Sequence, residues 1–262
     1  MENIAASFAI LAKPGILLFI LRGVAFTVVL SAIAVLLGIV IGSVLAMLRN
    51  YCTHGPAKIF GWLSTVYIEV FRNTPLLLWI FICLVACPVP AFFGHKMLGL
   101  TSVEVRILWR ASVALILFTS SVIAEIVRGG LNSVASGQFE AGHSQGFSTV
   151  QIMLYIVLPQ AFKAIVPTLL SQVITTIKDS SYLANVAVIE LMARVRQILS
   201  TSYMYNGTGK QNVSDVFVLF GLACVIYFII NFTLSCIVRR MQKPKKQPAP
   251  GRPVPAAQMS EG

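Results

Sequence analysis

The side chains able to do chemistry in this sequence are few, and most of them sit inside apolar runs. Thr119-Ser120-Ser121 lies within one such run with Glu125 one turn later, and Lys178-Asp179-Ser180-Ser181 ends another. Ionisable groups at membrane depth are costly and mark the pathways of polar solutes. Ser and Thr also bond helix backbones and join helices, which gives both clusters a structural alternative. Glu125 and Arg128 are three residues apart, as are Glu69 and Arg72, so each couple is expected to pair along one helix face. Catalysis is not indicated, because no cluster of His, Asp and Glu of the kind an active site needs is visible. His54, His95 and His143 are scattered, the five cysteines form no C-x-x-C pair, and no metal is assigned. Gly207-Thr208-Gly209-Lys210 is followed by Gln211, and Met204 stands where a phosphate-binding loop needs glycine. Any ATP chemistry therefore has to come from a partner.

The elements that must position these groups are membrane spans. Of 262 residues, 57% are hydrophobic and 11% are charged, whereas a soluble domain carries about 25% charged residues. The net charge of +11 comes from short loops between apolar runs and from the tail, the pattern of a membrane protein rather than a nucleic-acid binder. Apolar stretches run over Val24–Leu48, Ile59–Phe71 continued by Pro75–Phe93, Ala111–Ile126, Leu154–Ile177 and Val216–Val238. The longer ones match the roughly 20 residues that cross a hydrocarbon core of about 30 Å. Pro75 disfavours helical geometry at Thr74 and removes a backbone donor, so the second span is expected to break there. Gly38 and Gly42 form a small-xxx-small face suited to close helix packing. His95–Arg110 reads as a polar loop with a short helix, and Val186–Leu199 as a helix lying against others.

The expected fold class is an all-α membrane protein of about five spans. Its parts are an N-terminal segment 1–20, outside or at the interface, a transmembrane unit 21–240, and a disordered, basic, Pro-rich tail 241–262. An odd number of spans puts the termini on opposite faces. The basic tail places the C-terminus in the cytoplasm and the N-terminus outside. Lys96, Arg106, Arg110, Arg194, Arg196 and Lys210 then all lie outside, against the usual bias.

The segment around residues 132–159 falls on the cytoplasmic side in that topology. Glu140–Gln145 can make about one and a half helical turns. Gly146 can take a positive φ and let the chain turn back. Leu158-Pro159 then marks where the next helix is reset. Such a segment is a natural docking element, with an ordinary interhelical loop as the alternative.

Glu140-Ala141-Gly142, Gly146 and Ile156-Val157-Leu158-Pro159 resemble the docking loop of ABC importer permeases. Tyr67–Leu77, Ala124–Gly130, Leu158–Phe162 and Lys178–Ser181 are similar, in the same order, to the polar amino-acid uptake group of that family. The resemblance covers roughly Leu21–Arg240. It implies the type I importer permease fold, with Glu140, Ala141, Gly142 and Gly146 on a cytoplasmic coupling helix seated against an ABC ATPase subunit. It also implies a second permease, identical or related, and an extracytoplasmic amino-acid-binding protein. The chain itself then holds no cofactor, ATP and Mg being bound by the ATPase. The location implied is the bacterial cytoplasmic (inner) membrane, and the closest branch is that of glutamate and glutamine. On that reading Thr119, Ser120, Glu125, Asp179, Ser180 and Ser181 belong to the substrate path. Asp179 or Glu125 could hold the substrate ammonium, and the two serines could donate to its carboxylate. Glycine at position 142, where the pattern has alanine, costs about 1 kcal/mol in a helix and is expected to fray the coupling helix. Gln145 stands where the pattern has an apolar residue. An ATP-independent secondary transporter or channel is the alternative.

Overall fold

The computed structural model describes residues 2–97 and 99–242. The tail expected to be disordered lies, from residue 243, outside the described residues. All regular elements among the described residues are helical. They are α1 (Glu2–Leu11), α2 (Ile16–Tyr51), α3 (Lys58–Arg72), α4 (Leu76–Ala86), α5 (Ser102–Asn132), α6 (Gly137–Ser144), α7 (Thr149–Ile152), α8 (Leu158–Asp179), α9 (Leu191–Ser200) and α10 (Val213–Gln242). Four stretches are long and apolar enough to cross a membrane: α2, α5, Thr149–Val186 and α10. The pair α3 and α4, bent by 112° at their junction, gives a fifth if counted as one broken span.

The bend at Thr74-Pro75 is held by side chains on both sides. Pro75 is extended at ψ 135° and cannot donate a backbone hydrogen bond. The Thr74 hydroxyl donates to the Val70 carbonyl at 2.6 Å and accepts from the Trp79 indole at 2.6 Å. Phe71 stacks on Trp79 with ring centroids 4.1 Å apart. The expected break is therefore a fixed corner.

Helices α2 and α5 run side by side in the same direction and form the central seam. A Cβ on Gly38 would meet Thr119 and Ile123, and one on Gly42 would meet the Ser120 carbonyl at 2.7 Å and the Ala124 amide at 2.9 Å. Below them Val35, Ala46, Ile123 and Val127 share a buried cluster with Ile152, Val157 and Ala161. Toward the other end Leu30, Ala34, Leu115 and Leu183 share a second.

Helix α5 begins earlier than its charges suggest. The expected polar loop 95–110 becomes helix from Ser102, because Thr101 and Glu104 form a capping box. Glu104 accepts from the Thr101 amide at 2.8 Å and its own amide donates to the Thr101 hydroxyl at 3.3 Å. Helix α2 likewise begins at Ile16, ahead of the expected boundary at 21.

Candidate functional site

The first candidate region is the turn between α5 and α8. Helix α6 is exposed along most of its length, with Glu140 and Ala141 facing outward and Gly142 buried. Its C-terminus closes as a Schellman motif: the Phe147 amide donates to Gly142 O at 3.1 Å and the Gly146 amide to His143 O at 2.9 Å. Gly146 supplies the left-handed residue at φ +81° that this motif requires. The chain then restarts at Ser148, whose hydroxyl accepts from the Gln151 amide at 3.3 Å while the Gln151 side chain accepts from the Ser148 amide at 2.8 Å. The result is a short, rigid, outward helix at the end of the bundle where α2 and α5 finish.

Gly142 corrects the expectation of a frayed helix. The helix continues to Ser144, and a Cβ at 142 would sit 2.7 Å from Ile152 Cγ1. Glycine is the residue that lets α6 lie directly on Ile152, which is fully buried. Gly142→Ala is expected to push α6 off Ile152, because the added methyl strikes Ile152 Cγ1 and Cδ1. Limited proteolysis of the purified chain checks this: faster cleavage near α6 is expected, and an unchanged rate counts against the packing account.

From α6 the chain enters α8 through a widened π turn at Met153–Val157. The cause is Pro159, which lacks an amide hydrogen and crowds the carbonyl of residue 155. Helix α8 thus joins the α6 turn at one end to Asp179 at the other.

The second region is an ion cluster on the same end of the bundle. Arg49 donates to Glu69 at 2.9 Å and to Glu125 at 3.1 Å, and Arg72 lies 3.7 Å from Glu125. Glu125 also pairs with Arg128, as the spacing implies, Nε lying 2.8 Å from Oε1. The expected Glu69–Arg72 pair is not formed; Arg49 of α2 takes Glu69 instead, because the ends of α2 and α3 converge. The cluster ties α2, α3 and α5 together. Arg49→Met is expected to lower the stability of the purified chain by about 1–2 kcal/mol. The estimate takes a charged hydrogen bond for the well-shielded Glu125 arm and discounts the Glu69 arm, which is nearly half exposed. A Tm unchanged from wild type would show the cluster to be energetically idle.

The third region is the end of α8. The helix gives way to a tight 3-10 segment, Ser180–Val186, and then to Ala187 at φ 58°. This irregular backbone packs beside Leu30 and Ala34, part-way along the 36-residue α2. At membrane depth, non-helical backbone is tolerated where protein buries it or a water-filled cavity adjoins it. An open cleft of about 580 Å³ adjoins it, lined by Leu77, Phe118, Gln172, Thr175, Asp179 and Tyr182. Among the described residues, no side-chain hydrogen bond or ion pair engages the Asp179 carboxylate.

The structure separates the polar residues singled out in the sequence. Asp179 lines the cleft, and Ser180 and Ser181 begin the irregular segment beside it. Ser180 donates back to the Ile177 carbonyl at 2.8 Å. Thr119 and Ser120 lie in the α2–α5 seam; Ser120 is 2.8 Å from the Tyr67 hydroxyl, while the Thr119 hydroxyl is buried without a partner. Glu125 sits in the ion cluster. Gln172, Thr175 and Tyr182 escaped the sequence reading, although exposed Ala164, Thr168, Ser171, Thr175 and Lys178 recur every three or four residues along α8. So did Glu190, fully buried. It accepts from Ala193 N at 2.7 Å, the Tyr227 hydroxyl at 3.0 Å and the Thr27 hydroxyl at 3.3 Å, joining α2, α9 and α10.

Comparison with known proteins identifies the family. Residues 38–247 match the family described as binding-protein-dependent transport system inner membrane component. The chain is 33% identical over 226 residues to the Probable glutamine ABC transporter permease protein GlnP of Bacillus subtilis (strain 168), covering 86% of this chain and 93% of that one. It is 31% identical over 229 residues to the glutamate/aspartate import permease protein GltK of Escherichia coli O6:H1, covering 86% and 92%. Among solved structures, an amino acid ABC transporter crystallised with histidines superposes with a TM-score of 0.67 at 26% identity, over 85% of this chain and 92% of that one. The chain belongs to the family of binding-protein-dependent transport system inner membrane components, the permease subunits of ABC transporters.

Proposed function

We propose that this permease carries a polar amino acid, with glutamine and glutamate as the first candidates, into a bacterial cell across its cytoplasmic membrane. The observation that carries this reading is the outer face of α8. Ala164, Thr168, Ser171, Thr175 and Lys178 form an exposed seam that is mostly polar, on a helix long and apolar enough to cross a membrane. Lipid is a poor neighbour for such a seam. A second permease, identical or related, supplies the opposite wall, and the polar groups line the path between the two.

In this scheme Asp179, Gln172 and Thr175 meet the substrate. The free carboxylate of Asp179 takes its ammonium, and the amide and hydroxyl take its polar side chain. Ser180 and Ser181 hold the irregular backbone whose donors face the substrate carboxylate. Glu140, Ala141, Gly142 and Gly146 form the contact with an ABC ATPase, which holds ATP and Mg. Movement at α6 reaches Asp179 through α8. A binding protein delivers substrate on the face opposite α6, which is the outer face, with the N-terminus outside and the C-terminus in the cytoplasm.

The test is uptake of radiolabelled glutamine and glutamate into proteoliposomes holding the permease, its ATPase and its binding protein. Uptake that needs ATP, and falls at least about tenfold in Asp179→Asn with the ATPase still stimulated, is expected; a lost ion pair in a low-dielectric site is worth that much. Vanadate-insensitive uptake by the purified chain alone would sink the proposal in favour of an ATP-independent carrier.

A further inference from the structure

Helices α2 and α5 run in the same direction, so their N-termini share the face opposite α6. Just below that face a partly enclosed cleft of about 250 Å³ opens between them. Phe26, Val29, Ile33 and Leu37 form the α2 wall, three or four residues apart on one helix stripe. Trp109 and Ile116 belong to the α5 wall. Phe93 and Met97, from the segment between α4 and α5, complete the lining, Phe93 stacking on Trp109 with ring centroids 4.4 Å apart. The lining is apolar apart from Ser112, whose hydroxyl is spent on the Leu108 carbonyl at 2.7 Å. Water gains nothing in such a space, so the occupant is apolar. From Phe26 to Leu37 the α2 wall rises about 16 Å at 1.5 Å per residue. That is close to half of a hydrocarbon core of about 30 Å, the depth of one leaflet.

A second, independent observation fixes the chemistry at the mouth of the cleft. Arg22 stands four residues before Phe26, on the same stripe of α2 and just ahead of its uncharged run. The next residue, Gly23, faces the other way, under α9, where a Cβ would meet Leu191 and Arg194. Arg106 follows the lining residue Val105, and its guanidinium lies 3.8 Å from where a Cβ on Gly94 would stand, next to Phe93. Lys96 precedes Met97. All three cations are exposed, and among the described residues none of them makes a hydrogen bond or ion pair. Arg110, by contrast, is turned inward onto the Leu84 and Cys87 carbonyls at 2.8 and 3.0 Å. The Glu104 carboxylate is held by the amide and hydroxyl of Thr101, both at 2.8 Å.

We infer that this cleft is a binding site for one anionic phospholipid of the leaflet opposite α6. A fatty chain lies along the α2 stripe, and the headgroup phosphate meets Arg22, Arg106 and Lys96. A guanidinium fits phosphate oxygens bidentately, and each cation at headgroup level adds attraction for an anionic lipid. A soluble partner could reach the same cations but would leave the cleft unfilled. Leu30 lines the cleft and also packs with Leu183 of the irregular segment, so the bound chain backs the α2 wall that supports that segment. The inference does not depend on which solute the permease carries.

The test uses the purified full-length chain in phosphatidylcholine nanodiscs doped with lipid brominated on its acyl chain, which quenches tryptophan fluorescence at contact. The difference between wild type and Trp109→Phe isolates the signal of Trp109, which lines the cleft. Brominated phosphatidylglycerol is expected to half-quench that signal at a mole fraction about tenfold lower than brominated phosphatidylcholine does. In the double variant Arg22→Gln with Arg106→Gln the two lipids are expected to become equal. Val29→Phe, which fills the cleft and leaves the cations in place, is also expected to remove the preference. Equal quenching by the two lipids in the wild type overturns the site. So does a preference that survives loss of both arginines, or one that survives filling of the cleft. None of these outcomes bears on the importer reading, which the uptake assay tests separately.

Discussion

Gly42→Leu is expected to remove the folded permease from the membrane altogether. The Cβ alone would stand 2.7 Å from the Ser120 carbonyl oxygen and 2.9 Å from the Ala124 amide nitrogen. Both are backbone atoms of α5, so no rotamer change can clear the way, and the two helices must separate. Separation opens the cluster of Val35, Ala46, Ile123 and Val127 and strips the close approach on which helix association in lipid depends. Overpacking a tight core by a methylene or two costs about 1–3 kcal/mol; a leucine against backbone exceeds that and rivals a whole domain's stability margin of about 5–15 kcal/mol. Size-exclusion profiles of detergent extracts should show aggregated or absent protein for leucine and a reduced monodisperse peak for Gly42→Ala. A monodisperse leucine variant would mean that α2 and α5 are not packed at this position.

Gly146→Val should give the opposite combination: normal amounts of folded chain and no ATP-driven uptake. Nothing lies within 4 Å of a Cβ at this position, so the substitution meets no steric obstacle and leaves the bundle intact. What it alters is the backbone. A non-glycine residue in the left-handed region costs about 1–2 kcal/mol, and a β-branched one is worse placed still. The Schellman bonds from Phe147 and Gly146 would break first, because α6 is exposed and has little burial to hold it. Helix α6 would then point elsewhere while the spans remain. Membrane extraction, basal ATPase and uptake measured together separate this outcome from simple misfolding. Uptake at the wild-type level would show that the geometry of α6 is not needed for coupling.

The sequence exposed much of this, for identifiable reasons. Long uncharged runs force spans, so four crossing helices were legible; Pro75 marked a corner, and Pro159 marked the reset of the next helix but not the π turn before it. The positive φ of Gly146 was equally legible, since glycine alone adopts it freely. Helix starts were less visible. Thr101 and Glu104 announce a cap, but Arg106 and Arg110 nearby disguised the following turns as a loop. Long-range pairing was not readable from local spacing: Glu69 finds Arg49 rather than Arg72 because two helix ends converge, a fact of tertiary packing. The same limit applies to the cleft. Asp179 stood out as a charge ending an apolar run, whereas Thr175 and Gln172 became conspicuous only once α8 showed which side it leaves open. Gly142 looked like a weak point in a helix and proved to be a contact surface against Ile152.

The central claim is that α6 is where the ATPase meets this chain and that α8 carries the movement onward. Site-directed cross-linking tests it most directly, in a background where Cys52, Cys83, Cys87, Cys224 and Cys236 are replaced by alanine. His143→Cys, exposed on α6, should cross-link to the ATPase subunit in the assembled complex, with a yield that changes when ATP is added. Arg196→Cys, exposed on the opposite face, should give no such product. Cross-linking from position 196 and none from position 143 would contradict the account.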